Sequence, residues 1–146
     1  MKASEIVRNR IKEYEGCRLM AYRCPAGVLT IGYGHTGADV SEGMTITREE
    51  ADGLFDRDIE RFEGQLRSVV GPVNLRQCQW DAVVSIAYNI GVGALSRSTL
   101  LRKIRSNPDN PSIRDEFRRW NRAGGRELAG LTKRREWEAR RYFGEV

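Results

Sequence analysis

Apolar residues recur at helical spacing from the start of the chain: Val7, Ile11 and Tyr14 fall at i, i+4 and i+7 among polar neighbours. Ser4 can cap this segment and Gly16 offers a left-handed stop. The pattern therefore predicts a helix from residue 4 to about 15, with Glu15 at its C-terminal end. From residue 20 the character changes. MAYRC and VLTIGY are short extended runs on either side of Pro25-Ala26-Gly27. Cys24 to Gly27 fits a type I turn, with Pro at its second position and Gly beside a bulge, so the two runs form a hairpin. In the second run Leu29, Ile31 and Tyr33 share one face, and Val28, Thr30 and Gly32 the other. A glycine-rich loop then extends to Gly43.

A long helix begins at Thr47, where T-R-E-E is a capping box closed by Glu50. Phe55, Ile59, Phe62, Leu66 and Val69 form its apolar stripe, which stops at Gly71-Pro72. Residues 75–90, rich in Ala, Val and Ile, read as a buried helix that Gly91 and Gly93 break. Shorter helices follow near 97–106, after Ser112 with Phe117 and Trp120 inside, and after a Thr132 cap. NPDNP and RAGGRELAGL are loops, the second long enough to be functional. The order of elements predicts an α+β, mainly helical fold: a small β element near the N-terminus, a long helix, then a helical lobe, with a cleft between the two parts.

Composition narrows the class. A chain of 146 residues, 40% hydrophobic and 31% charged, suits one globular domain. No apolar run is long enough to cross a bilayer, and MKASEIVRNR lacks the apolar core of a signal peptide. The expectation is synthesis in the cytoplasm, with export dependent on outside help. The net charge of +5 is uneven: residues 97–146 hold 14 Lys or Arg against 7 Asp or Glu, a net +7 that leaves −2 for the first 96. A basic half suits nucleic acid, a membrane surface or an anionic cell envelope, and equally a solubilising face. Its basic residues are not interleaved with aromatics as in a single-strand groove. Three cysteines without a C-x-x-C pair, together with one histidine, predict neither a disulfide framework nor a metal site.

Four residues of the first segments carry candidate chemistry. A carboxylate at a helix C-terminus, as at Glu15, is disfavoured by the helix dipole and suits a general acid, but a lone Glu there is far more often a solvated helix end. Cys24 can be a nucleophile or weak base as thiolate, or a small half-buried hydrophobe. Thr30 can hold a water, or be a β-branched strand former. His35 can be a base, but a lone His after a G-Y-G turn is more often a structural hydrogen-bonding residue. GYGHTG is no nucleotide motif, since the helix such a motif requires does not follow.

The segment EYEGCRLMAYRCPAGVLTIGYGHT resembles the signature of phage-type lysozymes, the muramidase endolysins. The family spacing is Glu, eight residues, a carboxylate, five residues, Thr, and Glu15, Cys24 and Thr30 stand at that spacing. TREEADGLFDRDI resembles the start of the family's interlobe helix, and QWDAVVSIAYNIGVGAL its core helix and the turn after it. FRRWNRAGG and GLTKRREWEARRYF resemble its closing segments. The resemblance implies a single lysozyme-like domain over 1–146, with lobes of roughly 12–60 and of 1–11 plus 61–146. It implies hydrolysis of the β-1,4 bond between N-acetylmuramic acid and N-acetylglucosamine in bacterial peptidoglycan, leading to host-cell lysis, without a cofactor. Glu15 would be the acid, and Thr30 would position the group on the far face of the sugar. His35 would be structural, paired with Asp58. Tyr33 would be a supporting or substrate-binding residue, and Tyr88, Asn89 and Gly91 would line the cleft. One Arg of Arg134-Arg135 would face Glu15, and counting from Thr132 favours Arg135. The expected partner is peptidoglycan, not nucleic acid or a membrane anchor, for a monomer released to the wall with the help of a holin.

Cys24 departs from the carboxylate that many family members carry. It can attack the sugar carbon, activate a water on the far face, or be a spectator. A wall-binding module that kept the fold, a basic nucleic-acid binder and a transglycosylase are the rival readings.

Overall fold

The structure, a computed structural model, describes residues 1–146. The chain divides into two compact units, Arg8–Phe62 and Met1–Val7 with Glu63–Val146. In chain order the elements are α1 (Glu5–Glu15), β1 (Arg18–Arg23), β2 (Leu29–Gly32), β3 (His35–Thr36), α2 (Arg48–Val70), α3 (Gln77–Ile90), α4 (Val92–Ser96), α5 (Thr99–Ser106), α6 (Ile113–Arg118), β4 (Arg122–Ala123), β5 (Arg126–Glu127) and α7 (Ala129–Tyr142).

Local chemistry sets the ends of several elements. The hydroxyl of Ser4, just before α1, accepts from Val7 N–H at 3.4 Å and donates to Asp81 at 2.6 Å. Gly16, with φ +71°, ends α1 by donating to Lys12 O at 2.9 Å. The α2 capping box is complete: Glu50 N–H donates to Thr47 Oγ1 and Thr47 N–H to Glu50 Oε1, both at 3.1 Å. Ser98 caps α5 through Leu101 N–H at 3.0 Å.

In the unit Arg8–Phe62, β1, β2 and β3 form an antiparallel sheet in that order. The turn between β1 and β2 is closed by Gly27 N–H to Cys24 O at 2.7 Å and Cys24 N–H to Val28 O at 3.0 Å, with Gly27 at φ +82°. β3 lies where the sequence pattern predicts only loop. Two residues are too few for a periodic signal, and pairing with β2 (Thr30 with Thr36, Ile31 with His35) makes the strand. Ile11, Ile31, Tyr33, Val40, Ile46, Ala51, Leu54, Phe55 and Ile59 are the buried apolar core.

In the other unit α3 packs against α7, and α6 against α7. Seven consecutive residues of α3, Asp81 to Ala87, are fully buried or nearly so. Four sequence expectations change here. Gly91 caps α3 at φ +95°, but α4 begins directly after it and Gly93 lies inside α4. Trp120 lies beyond the end of α6 and is half-buried, while Phe117 is fully buried. Thr132 is not the cap of α7, which starts at Ala129 after Leu128. Part of the expected RAGGRELAGL loop is the β4–β5 hairpin, turned by Gly124 (φ +59°) and Gly125 (φ +77°). No helix is long and apolar enough to cross a membrane.

Candidate active site

α1 delivers Glu15 to its last turn, with the side chain exposed. Glycine backbone lies close to it: a Cβ built on Gly34 would sit 3.1 Å from Glu15 Oε2. Gly34 has φ +82°, so glycine is required there for backbone conformation as well as for space.

Cys24 opens the turn that joins β1 to β2 and is half-buried. Hydrogen bonds from the Val28 and Ala26 N–H groups hold its thiol below the ordinary value of 9.0. Burial opposes them, and the Thr30 hydroxyl and Gly27 N–H add to the downward pull. The turn thus presents backbone donors to the sulfur and favours the thiolate. Thr30 is buried in β2, with its hydroxyl donating to Val28 O at 2.9 Å. Cys17, Cys24 and Cys78 are all free thiols.

Tyr33 and His35 are buried around the same strands. The Tyr33 ring meets Phe55 edge-on at 5.8 Å, and its hydroxyl accepts from Arg48 at 3.1 Å. Burial, then the charge of Asp52, raises its pKa. Ring and hydroxyl are both engaged inside the unit, so Tyr33 has the surroundings of a supporting residue. His35 Nδ1 lies 2.7 Å from Asp58, and its Nε2 lies 3.0 Å from Asp39.

In the other unit Tyr88 is half-buried and Asn89 exposed at the end of α3. Arg135, 1% exposed, spreads its donors three ways: Nε to Trp120 O at 2.7 Å, Nη1 to Glu138 and Nη2 to Asn89 Oδ1. With its oxygen held, the Asn89 amide is oriented to present its N–H₂ donors. Arg134 is buried too, bonding Glu138 at 3.2 Å and Ser85 O at 2.9 Å.

Residues 12–138 match the family model described as Phage lysozyme. The chain belongs to the phage lysozyme family. An endolysin of Acyrthosiphon pisum secondary endosymbiont phage 1 is 42% identical over 132 residues, covering 88% of this chain and 88% of the relative. An endolysin of Bacillus phage B103 is 40% identical over 140 residues, covering 94% of this chain and 52% of the relative. This phage lysozyme therefore spans about half the length of that protein. Among solved structures, the muramidase domain of SpmX from Asticaccaulis excentricus superposes with a TM-score of 0.85 at 32% identity, covering 97% of each chain. The fold is lysozyme-like.

Two parts of this phage lysozyme's polar framework were not read from sequence. Asp39 lies in an irregular loop, where four-residue spacing from His35 carries no helical meaning. Glu138 did carry a signal, because it stands three and four residues after Arg135 and Arg134 on one helix. The basic C-terminal half also looks different once folded. Most of its arginines pair internally, as Arg114 does with Glu145, Arg118 with Glu136 and Arg141 with Asp81. Arg105 caps the end of α2 by donating to Val69 O and Val70 O.

Removing the Asp58 carboxylate breaks a charge-assisted bond to a buried ring. Asp58→Asn is expected to cost about 2 kcal/mol of stability near pH 6. The loss should shrink at alkaline pH, because a raised His35 pKa contributes stability that disappears as pH rises through the folded value. Urea unfolding of both proteins at pH 6 and pH 9 checks this.

Proposed function

We propose that this phage lysozyme is an endolysin that hydrolyses the β-1,4 bond between N-acetylmuramic acid and N-acetylglucosamine in bacterial peptidoglycan. The observation that carries the reading is the N-terminal site. An exposed carboxyl ends α1, and a thiol held toward its anionic form opens the β1–β2 turn beside a buried threonine. These are the two kinds of group that glycoside hydrolysis requires: a proton donor for the leaving oxygen, and a group on the opposite face of an oxocarbenium-like centre. The endolysin relatives and the muramidase domain support the bond cleaved.

Glu15 donates its proton to the glycosidic oxygen as the carbon–oxygen bond breaks. Cys24, as thiolate, acts on the far face, and Thr30 orients what is held there. Water completes the reaction and leaves a reducing end. Tyr88 and Asn89 of the other unit bind glycan, and Arg135 orients Asn89. The chain acts as a monomer on the wall after a holin-type pore releases it.

Mass spectrometry of a peptidoglycan digest tests the function. Reducing N-acetylmuramic acid ends are expected; anhydro-muramic ends would mark a transglycosylase, and an unchanged wall would leave a binding module. For Cys24, Cys24→Asp is expected to retain activity within about tenfold and Cys24→Ala to lose about 10²-fold. Turnover on purified wall checks both. Unchanged turnover in Cys24→Ser would remove the thiolate from the mechanism.

A further inference from the structure

The imidazole of His35 has a carboxylate on each side. Nδ1 lies 2.7 Å from Asp58 Oδ2 on α2, and Nε2 lies 3.0 Å from both oxygens of Asp39 in the loop after β3. Ionised carboxylates only accept hydrogen bonds, so both bonds form together only when both ring nitrogens carry protons. The arrangement is that of an imidazolium. The other charges around it come from α2: Arg61 pairs with Asp58 Oδ1 at 3.0 Å, and Arg57 acts on Asp39.

β3, the strand that carries His35, is only two residues long, so its ladder contributes little to holding it in place. The two ring bonds of His35 add side-chain clamps to that short ladder. The residue just before it is Gly34, the backbone that forms the wall against Glu15 Oε2.

We propose that the Asp39–His35–Asp58 bracket is a positioning device for Glu15: it pins β3 to α2 on one side and to the following loop on the other, and so fixes the Gly34 backbone against the carboxyl group. This rests on the reading of Glu15 as the proton donor. His35 and Asp39 are positioning residues here; neither touches substrate.

The device has a pH window. Burial pulls the His35 pKa down, but its bonds to Asp58 and Asp39 and their charges outweigh this and raise it above 6.5. The bond to His35 lowers the Asp39 pKa below 3.8, against a smaller effect of desolvation. The bracket therefore stays whole to a higher pH than a free imidazole would allow. It opens as pH rises through the folded value of His35, or falls through that of Asp39. The alkaline limb of activity should follow the histidine.

His35 is the only histidine in the chain, so its NMR titration is read without ambiguity. Asp39 has a side chain 60% exposed, and Asp39→Asn should fold normally. The variant is expected to lower the His35 midpoint by about one pH unit. The alkaline limb of kcat/KM on purified peptidoglycan should move down equally, and Asp39→Glu should restore both. A midpoint that stays in place would overturn the bracket. A midpoint that moves while the alkaline limb stays would overturn its link to Glu15. Glu15→Gln in the same assay separates the parent reading: retained activity there removes Glu15 as the acid, whatever His35 does.

Discussion

Glu15→Gln should lower turnover on peptidoglycan by about 10³-fold, within the range that a lost general acid costs. Glutamine keeps the shape of the side chain, so its fit against Gly34 survives, but it has no proton to give the leaving oxygen. Few substitutes are at hand in the same unit. Asp52 is held by Lys12, Asp56 by Arg8, Asp58 by His35 and Arg61, and Glu42 by Arg23. The bond from Lys12 lowers the Asp52 pKa, which keeps that carboxylate ionised and makes it a poor acid. Stability should be nearly unchanged, because the side chain is exposed at a helix end. Turbidity clearing of wall suspensions, with circular dichroism melting as the control, measures both effects. A drop of less than tenfold would move the acid elsewhere.

The second large effect is on folding. Glu138→Gln is expected to destabilise the protein by about 3–5 kcal/mol, the cost of breaking a buried ion pair from one side. Glu138 is 0% exposed and sits between two buried arginines, Arg134 at 5% and Arg135 at 1%. It accepts from Arg134 Nε at 3.2 Å, from Arg135 Nη1 and from Ser85 Oγ. Without its charge, two guanidinium groups remain in the interior with no carboxylate between them. The contrasting control is Glu42→Gln, which breaks the exposed pair with Arg23 and should shift stability by about 0.5 kcal/mol or less. Urea midpoints at constant slope measure the difference. Because Arg135 also holds Trp120 O and Asn89 Oδ1, loss of order at the end of α3 should accompany the destabilisation, visible as faster amide exchange near Asn89.

Much of the fold was legible because its signals are local. The Thr47 cap, the Pro25-Gly27 turn and the α2 stripe each depend on residues within a few positions of one another. Helical spacing marks which face is buried, and Phe55, Ile59 and Leu66 are indeed buried. The stripe reads less well further on, where Phe62 and Val69 are only half-buried and Glu63 and Val70 are buried. The start of α7 was misplaced for a similar reason: Thr132 has the chemistry of a cap, but the helix begins three residues earlier without a side-chain cap. A favourable cap residue is a permission, and packing decides where the turn starts.

The sequence by itself determined the longer helices, the β1–β2 hairpin, the family and the spacing of Glu15, Cys24 and Thr30, because each is written in short-range order along the chain. Only the tertiary structure decided what surrounds those groups. It brought the Gly34 backbone against Glu15, aimed the Val28 and Ala26 N–H groups at Cys24, and placed Asp39 across the ring of His35 from Asp58. It also turned Arg135 toward Asn89, 46 residues away in the chain. The physical reason is the same in each case. Periodicity and caps are properties of one segment, whereas protonation state, orientation and open space depend on which groups packing brings together.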